Sequence, residues 1–509
     1  MLLTDNLRVT AERHPQRCAI QHGETQLSYA QLAQRAESFA AHLLSQGLQP
    51  GERVALLMDN SPDYAAALYG TLLAGGIAVT LNAAAKAREF ATWLRHSEAS
   101  WLVTEGDRRE AALAVAEVGT SPKLLIAGAA RRDERLADGE SLEAVLASDA
   151  VATALPTLRA DAPACILYTS GTTGNPKGVV LTHGNLASNT DAIVRYLELA
   201  ATDSIVSILP FYYSYGSSVL HTHIRAGARI VLENNLVYPH LIVERMAANR
   251  VTGFAGVPST FALLLQRVEL AKYDLSALRY LTQAGGAMAP VLTRRLRETL
   301  PHTRVFVMYG QTEATARLTY LPPERLEDKL GSVGIPVEGV SIEIRNDEGS
   351  PLPRLQPGEV WIRGPNVMQG YWRDEAATRS VLRDGWLRTG DMGHLDEEGY
   401  LYLSGRRSDM IKTGAHRVHP NDVEEVIQEL DQVAEVAVVG IDDETLGQAV
   451  AAFIVPASGH SGDALQIRNH CRARLASYKV PKTIEFVTAL PRTASGKVRR
   501  VELAQRNSP

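Results

Sequence analysis

Between Tyr168 and Asn185 the chain reads YTSGTTGNPKGVVLTHGN. Four hydroxyl side chains (Thr169, Ser170, Thr172, Thr173), three glycines (Gly171, Gly174, Gly178) and one lysine (Lys177) fall within eleven positions. Glycine lets the backbone approach a polyanion and turn its N–H groups toward it, hydroxyls add neutral donors, and the lysine adds compensating charge. The pattern is that of a phosphate-binding loop. It is not a Walker A loop, because G-x-x-x-x-G-K-S/T needs glycine where Pro176 stands and a hydroxyl where Gly178 stands. A flexible Ser/Thr/Gly surface turn is the competing reading, and the embedded Pro-Lys-Gly and the apolar VVL that follows weigh against it.

A loop of this kind needs rigid elements to hold it. Short β-branched runs, RVALLM (53–58), SWLVTE (100–105), KLLIAG (123–128), ARIVLE (228–233) and RVFVMYG (304–310), alternate with amphipathic stretches such as TRRLRETL (293–300). That alternation predicts an α/β fold with parallel-type sheets covered by helices. From about Gly331 the texture changes to short strands with Gly and Pro turns, VSIEIRNDEGSPL, GEVWIRGP and GYLYLSGR, which predicts an antiparallel β subdomain. Beyond Arg406, VHPNDVEEVIQEL, VAEVAVVGI, AAFIVP and DALQIRNHCRARL predict a small α+β unit whose first helix opens at Pro420 and Asn421. The expected division is therefore a large domain of two sheets plus the β subdomain over residues 1–405, and a small α+β domain over 406–509.

Composition excludes several classes. Fifty-two Lys and Arg against 57 Asp and Glu give a formal net charge of −5, with no long basic block, so a nucleic-acid partner is not expected. Cys18, Cys165 and Cys471 are odd in number and widely spaced, which excludes a disulfide framework or Cys-based zinc site and points to a reducing, cytoplasmic compartment. The N-terminus meets Asp5 and Arg8 before any apolar run, unlike a secretory signal. Residues 64–85 carry no charge, but Gly75-Gly76 divides them into an Ala/Leu helix and the short strand IAVTL, so a membrane span is not expected. His221 and His223 have no third ligand at suitable spacing, and are read as exposed or hydrogen-bonded helix histidines.

The phosphate loop is followed, in order, by QAGGAMAP (283–290), YGQTEAT (309–315), GEVWIRGPNVMQGYW (358–372), WLRTGDMGHLDEEGYLYLSGRRSDMIKTG (386–414) and PRTASGKVRR (491–500). In these motifs, and over nearly its whole length, the sequence resembles the adenylate-forming superfamily, which includes acyl-CoA synthetases and the adenylation domains of nonribosomal peptide synthetases. The resemblance implies an ATP-dependent ligase in which a carboxylate attacks the α-phosphate of ATP, and a thiol then attacks the acyl adenylate. It implies that Thr169, Ser170, Gly171, Thr172, Thr173 and Lys177 bind the phosphates. Glu313 would hold Mg²⁺, and Thr312 would donate to the α-phosphate. Adenine would lie between Tyr309 and the backbone of Gly285, Gly286 and Ala287, and the ribose would meet Asp391 and Arg406. Lys497, in a Ser-Gly-Lys turn, would bridge the two anions as they are forced together.

The family rotates its C-terminal domain between the two half-reactions, and the pivot would lie within Arg406 to Gly414. Here the sequence departs from the usual pattern: Ser408 stands where relatives carry Asp or Lys, with Asp409 next to it, and Gly414-Ala415 stands where the pantetheine arm usually packs on Gly-Gly. The thiol donor implied is coenzyme A, or the phosphopantetheine of a separate acyl carrier protein. The small-molecule partner is a carboxylic acid. Relatives that activate amino acids hold the α-ammonium with an Asp in the segment matching Ile205 to Val231, which contains no acid here. Tyr212, Tyr213 and Ser214, with Tyr215, are the candidate acid pocket; the tyrosines either line it or are ordinary wall and core residues.

Overall fold

The structure is a computed structural model describing residues 2–118, 122–128, 133–136, 138–150, 154–169, 176–234, 238–413, 416–443, 445–493 and 497–505, with the backbone alone at Arg135, Ser408 and Arg417. Ser170, Gly171, Thr172, Thr173, Gly414 and Ala415 lie outside the described residues.

Two sheets dominate the first four hundred residues. In the eight-stranded sheet, Arg53–Leu57, Ile77–Thr80, Trp101–Glu105 and Lys123–Ala127 run parallel. Arg53–Leu57 and Ile77–Thr80 are almost wholly buried, which is why they read as continuous apolar runs without alternation. Pro163–Thr169 joins them in parallel and returns antiparallel as Lys177–Thr182, with Thr169 opposite Lys177. The phosphate-loop sequence is thus flanked by two antiparallel strands. The uncharged run resolves into the helix Pro62–Leu73, capped by Ser61, and the strand Ile77–Thr80. Gly75 between them takes a left-handed φ of 76° that a side chain would strain. No helix among the described residues is long and apolar enough to cross a membrane.

The second sheet lays Cys18–His22, Arg229–Leu232, Ser204–Ser207, Gly253–Gly256, Tyr280–Gln283 and Arg304–Tyr309 side by side in parallel. The change to antiparallel texture expected near Gly331 begins earlier. Thr319–Tyr320 hydrogen-bonds antiparallel to Arg304–Tyr309 on one side and to Ser332–Pro336 on the other. The β subdomain (Ser341–Arg345, Gly358–Arg363, Trp386–Leu395, Leu401–Arg406) is therefore a continuation of the second sheet, which has fourteen strands. A two-residue strand carries too little pattern to be seen in sequence.

The C-terminal residues form a five-stranded sheet of Ile411–Thr413, His416–Val418, Val433–Asp443, Gly447–Pro456 and Thr483–Phe486. Helices Pro420–Gln428 and Ala464–Arg474 cover one face through Val423, Ile427, Ile467 and Cys471. Leu503, from the last helix Arg500–Gln505, joins Ala437, Val439 and Phe453 in the core on the other face.

Candidate active site

Four neighbouring parallel strands, Ser204–Ser207, Gly253–Gly256, Tyr280–Gln283 and Arg304–Tyr309, end on the same side of the second sheet. Ligands of open α/β sheets bind outside such carboxyl ends. Tyr309 is the last residue of its strand, and Gly285, Gly286 and Ala287 follow the end of the next. Gly285 has φ 88°, and Gln283 Nε2 donates to the Gly286 carbonyl at 2.8 Å, fixing that turn. Gly310 lies so close to the returning chain that a Cβ would stand 1.7 Å from the Ala316 carbonyl oxygen.

Asp391 and Arg406 are cross-strand partners in the antiparallel pair Trp386–Leu395 and Leu401–Arg406, so sheet register alone brings them together. Asp391 Oδ1 lies 3.3 Å from Arg406 Nε, and Oδ2 accepts from the Tyr309 hydroxyl at 2.5 Å. Burial pushes the Asp391 carboxyl up, while Arg406, Tyr309 and Lys497 oppose that shift. Its charge is thus held by donors in a dry setting.

Glu313 Oε1 accepts from the Tyr371 hydroxyl at 2.9 Å. Tyr371 sits in a short strand pairing with Lys177–Thr182, and the Lys177 ammonium lies 5.2 Å from its ring centroid. Tyr371 thereby joins the phosphate-loop lysine to the carboxylate. Thr312 Oγ1 lies 3.3 Å from Ser214 Oγ, linking the YGQTE segment to the start of the helix Ser214–Ala226.

Lys497 comes from the opposite end of the sequence. Thr493 N–H donates to the Lys497 carbonyl at 2.7 Å, and Lys497 N–H donates to Thr493 Oγ1 at 3.1 Å. The side chain is solvent-exposed by area but crowded by protein: burial lowers its pKa, Arg406 lowers it further, and Asp391 and Glu313 oppose. Residues from three regions, Glu313, Asp391 with Arg406, and Lys497, are therefore within electrostatic reach of one another.

In the acid segment, Tyr212 is buried and its ring stands 4.6 Å from that of half-buried Tyr213, the N-cap residue of the helix. Gly216 is required there, because a Cβ would stand 2.1 Å from the Pro210 carbonyl oxygen. Asp203, just before the segment, is paired with Arg279 at 2.9 Å at the far end of its strand. His221 and His223 are buried rather than exposed. His221 bridges the Tyr69 hydroxyl (2.9 Å) and Ser217 Oγ (3.0 Å). His223 lies 2.8 Å from both the Val219 carbonyl and the Tyr280 hydroxyl. Burial pushes their pKa values down to about 3 and about 4, so both are neutral internal bridges.

The structure thus gathers Thr312, Glu313, Tyr309, Asp391, Arg406, Lys177 and Lys497, with the turn carrying Gly285, Gly286 and Ala287 beside them. Thr169 is placed at the end of its strand and Ser408 in the turn Arg407–Asp409 after the last strand of the β subdomain. Sequence reasoning gave no role to Tyr371, although it lies in the GYW of a quoted motif.

The sequence matches the AMP-binding enzyme family over residues 7–372, and the AMP-binding enzyme C-terminal domain over 422–497. It is 35% identical over 495 residues to an indoleacetate–CoA ligase of Aromatoleum aromaticum, covering 96% of this chain and 95% of that protein. It is 34% identical over 500 residues to a feruloyl-CoA synthase of Amycolatopsis sp, covering 97% of each. The o-succinylbenzoate CoA synthetase of Bacillus subtilis, solved with the acyl-adenylate intermediate OSB-AMP, matches with a TM-score of 0.86 at 29% identity, over 98% of this chain and 97% of that one. With both family regions matched in order along most of its length, the chain belongs to the AMP-binding enzyme family and is an AMP-forming acid–thiol ligase.

Proposed function

We propose that the enzyme joins a carboxylic acid lacking an α-amino group to coenzyme A, in a cleft between the carboxyl ends of the second sheet and the C-terminal domain. The observation that carries this reading is the meeting of Lys497 with Arg406, Asp391 and Glu313 in one electrostatic neighbourhood. Such a cluster suits a reaction that brings a carboxylate against a triphosphate and then stabilises a leaving pyrophosphate. Tyr309 stacks on adenine beside the turn Gly285–Ala287. Asp391 accepts from the ribose hydroxyls, and Arg406 stays at its side. The phosphate loop from Thr169 to Lys177 holds the β- and γ-phosphates, and Thr312 donates to the α-phosphate. Lys497 lies over the junction, its positive charge offsetting the repulsion between acid and phosphate as the carboxylate oxygen bonds to phosphorus and pyrophosphate departs.

Mg²⁺ fits this donor set. Only one oxygen of Glu313 accepts a hydrogen bond among the described residues, leaving the other for a hard cation next to the phosphates. When bound, the ion would be held by Glu313 and phosphate oxygens and would neutralise charge on the leaving group.

The division at 405/406 suits a C-terminal domain that turns about Ser408, withdrawing Lys497 so that a thiol can reach the acyl adenylate, with pantetheine passing Gly414 and Ala415. The acid side is supported electrostatically. An α-ammonium buried beside the adenylate needs a carboxylate partner. Residues 205–231 contain none, and Asp203 is already engaged by Arg279. The relatives act on indoleacetate and ferulate, by name. Acids of that kind, planar and free of an α-amino group, agree with a segment walled by Tyr212, Tyr213 and Tyr215. ATP–pyrophosphate exchange over plain, aryl and amino acids is the test, followed by turnover with coenzyme A and with a holo carrier protein. Exchange with plain or aryl acids and a coenzyme A thioester as product are expected; exchange confined to α-amino acids contradicts the reading, and turnover with the carrier alone replaces coenzyme A as acceptor.

A further inference from the structure

Asn60 follows the strand Arg53–Leu57 of the first sheet and stands just before Ser61, the cap of the helix Pro62–Leu73. Its side chain does not serve that helix. It is 5% exposed and reaches the chain of the second sheet, where Nδ2 donates to the Leu209 carbonyl at 2.8 Å and Oδ1 accepts from the Phe211 N–H at 2.7 Å. One planar amide thus pairs with the backbone as a neighbouring strand would, on either side of Pro210, which has no N–H to offer. The Asn60 carbonyl in turn accepts from Asn234 Nδ2 at 2.9 Å, so its own backbone is held as well.

Residues 208–213 join the strand Ser204–Ser207 to the helix Ser214–Ala226 and carry Tyr212 and Tyr213. Leu209 and Phe211 are buried, and a buried carbonyl or N–H left without a partner is costly, so this turn takes the position in which Asn60 satisfies both. The rest of the segment builds on that position. The Tyr213 N–H donates to the Pro210 carbonyl at 3.1 Å, Gly216 packs against the same carbonyl, and Thr80 Oγ1 donates to the Tyr212 carbonyl at 3.4 Å. Ser214, next in the chain, meets Thr312. Thr80, like Asn60, belongs to the first sheet: Ile77–Thr80 lies between Arg53–Leu57 and Pro163–Thr169, the strand that leads into the phosphate loop. The acid segment therefore extends from one sheet and is tied to the other, the sheet that carries the strands flanking the phosphate loop.

We propose that Asn60 is a positioning residue for acid selection: it sets where Tyr213 stands, and with it the size of acid that fits between Tyr213 and the activating groups. This inference rests on the acid-ligase reading and adds to it a residue outside every motif quoted above. A carboxylate must meet the α-phosphorus in a narrow geometry, and a displacement of about 1 Å imposed from a distance is enough to cost rate. Asparagine suits the task because it donates and accepts at once. Aspartate, of the same size, accepts twice and sets a carboxylate oxygen against the Leu209 carbonyl, and alanine leaves both backbone groups without partners.

The test is ATP–pyrophosphate exchange with benzoate, phenylacetate, cinnamate and straight-chain acids from butanoate to decanoate, read as ratios of kcat/KM between acids. Such ratios cancel the fraction of active enzyme, so a variant that folds poorly still reports. In Asn60→Ala the preference for the best acid over larger members of its series should fall about tenfold, with the KM for ATP little changed. Asn60→Asp should shift the ratios the same way. Beside Tyr213→Ala, where the wall is already gone, Asn60→Ala should leave the ratios nearly unmoved. Wild-type acid ratios in either Asn60 variant, or an undiminished shift beside Tyr213→Ala, would overturn the proposal and leave Asn60 as a packing residue of the turn. Wild-type enzyme that exchanges with no acid at all would instead refute the ligase reading, so the two failures are distinct.

Discussion

Replacing Tyr371 by Phe removes a single oxygen and isolates the role of the Glu313 contact. The phenol donates to Glu313 Oε1 at 2.9 Å. The ring itself remains, paired through its backbone with Val179 and placed under Lys177. A hydrogen bond to a charged group contributes about 1.5–3 kcal/mol. Glu313 is half-buried, so water can replace part of the loss, and the lower end applies. At about 1.4 kcal/mol per decade, Tyr371→Phe should slow ATP–pyrophosphate exchange roughly tenfold in kcat/KM. If Tyr371 acts by orienting Glu313, the variant should need more Mg²⁺ for half-maximal exchange. Adding Tyr371→Phe to Glu313→Gln should then cost much less than it does in the wild type. Thermal melting of the single variant should change little, because the strand and the cation–π contact persist. Unchanged exchange, or full additivity of the two substitutions with an unmoved Mg²⁺ requirement, would refute the coupling.

The lowered pKa of Lys497 places its deprotonation at lower pH than for an ordinary lysine. Adenylation kcat/KM should therefore fall on the alkaline side below that range, while the kcat limb lies higher because bound triphosphate stabilises the ammonium; an alkaline limb unmoved by Lys497→Arg would assign it to another group. Tyr213→Ala should admit larger acids and weaken the native one by about 1–3 kcal/mol in kcat/KM, measured by exchange over a size series; an unchanged size profile removes Tyr213 from the pocket. Gly216→Ala drives a Cβ to 2.1 Å from a backbone oxygen that cannot move without the whole LPFYYSYG turn. It should cost at least about 1–3 kcal/mol in denaturant unfolding, and a wild-type midpoint would show that the turn relaxes freely.

Much of this arrangement is written locally. The continuous apolar runs at 53–58 and 304–310 are strands buried on both faces of their sheets, and the Gly75-Gly76 break separates helix from strand as its φ requires. The pairing of Asp391 with Arg406 is not local: it follows from the register of two strands joined at the DEEG turn. Tyr371 was invisible as a participant because its reach to Glu313 depends on a two-residue strand lying against Lys177–Thr182. The buried positions of His221 and His223 were equally hidden, since a helix with polar residues on every side reads as exposed until Tyr69 and Tyr280 supply their partners.

The most direct measurement separates the two half-reactions of Lys497→Ala. Lys497 lies in the electrostatic neighbourhood of Arg406, Asp391 and Glu313; in the proposed mechanism acid and triphosphate meet there, and the domain bearing the lysine turns away before the thiol arrives. Acid-dependent ATP–pyrophosphate exchange should fall by orders of magnitude, whereas thioester formation from chemically prepared acyl adenylate and coenzyme A should stay within a few-fold of wild type. Exchange that survives the substitution, or equal loss of both half-reactions, would contradict a lysine that serves adenylation alone.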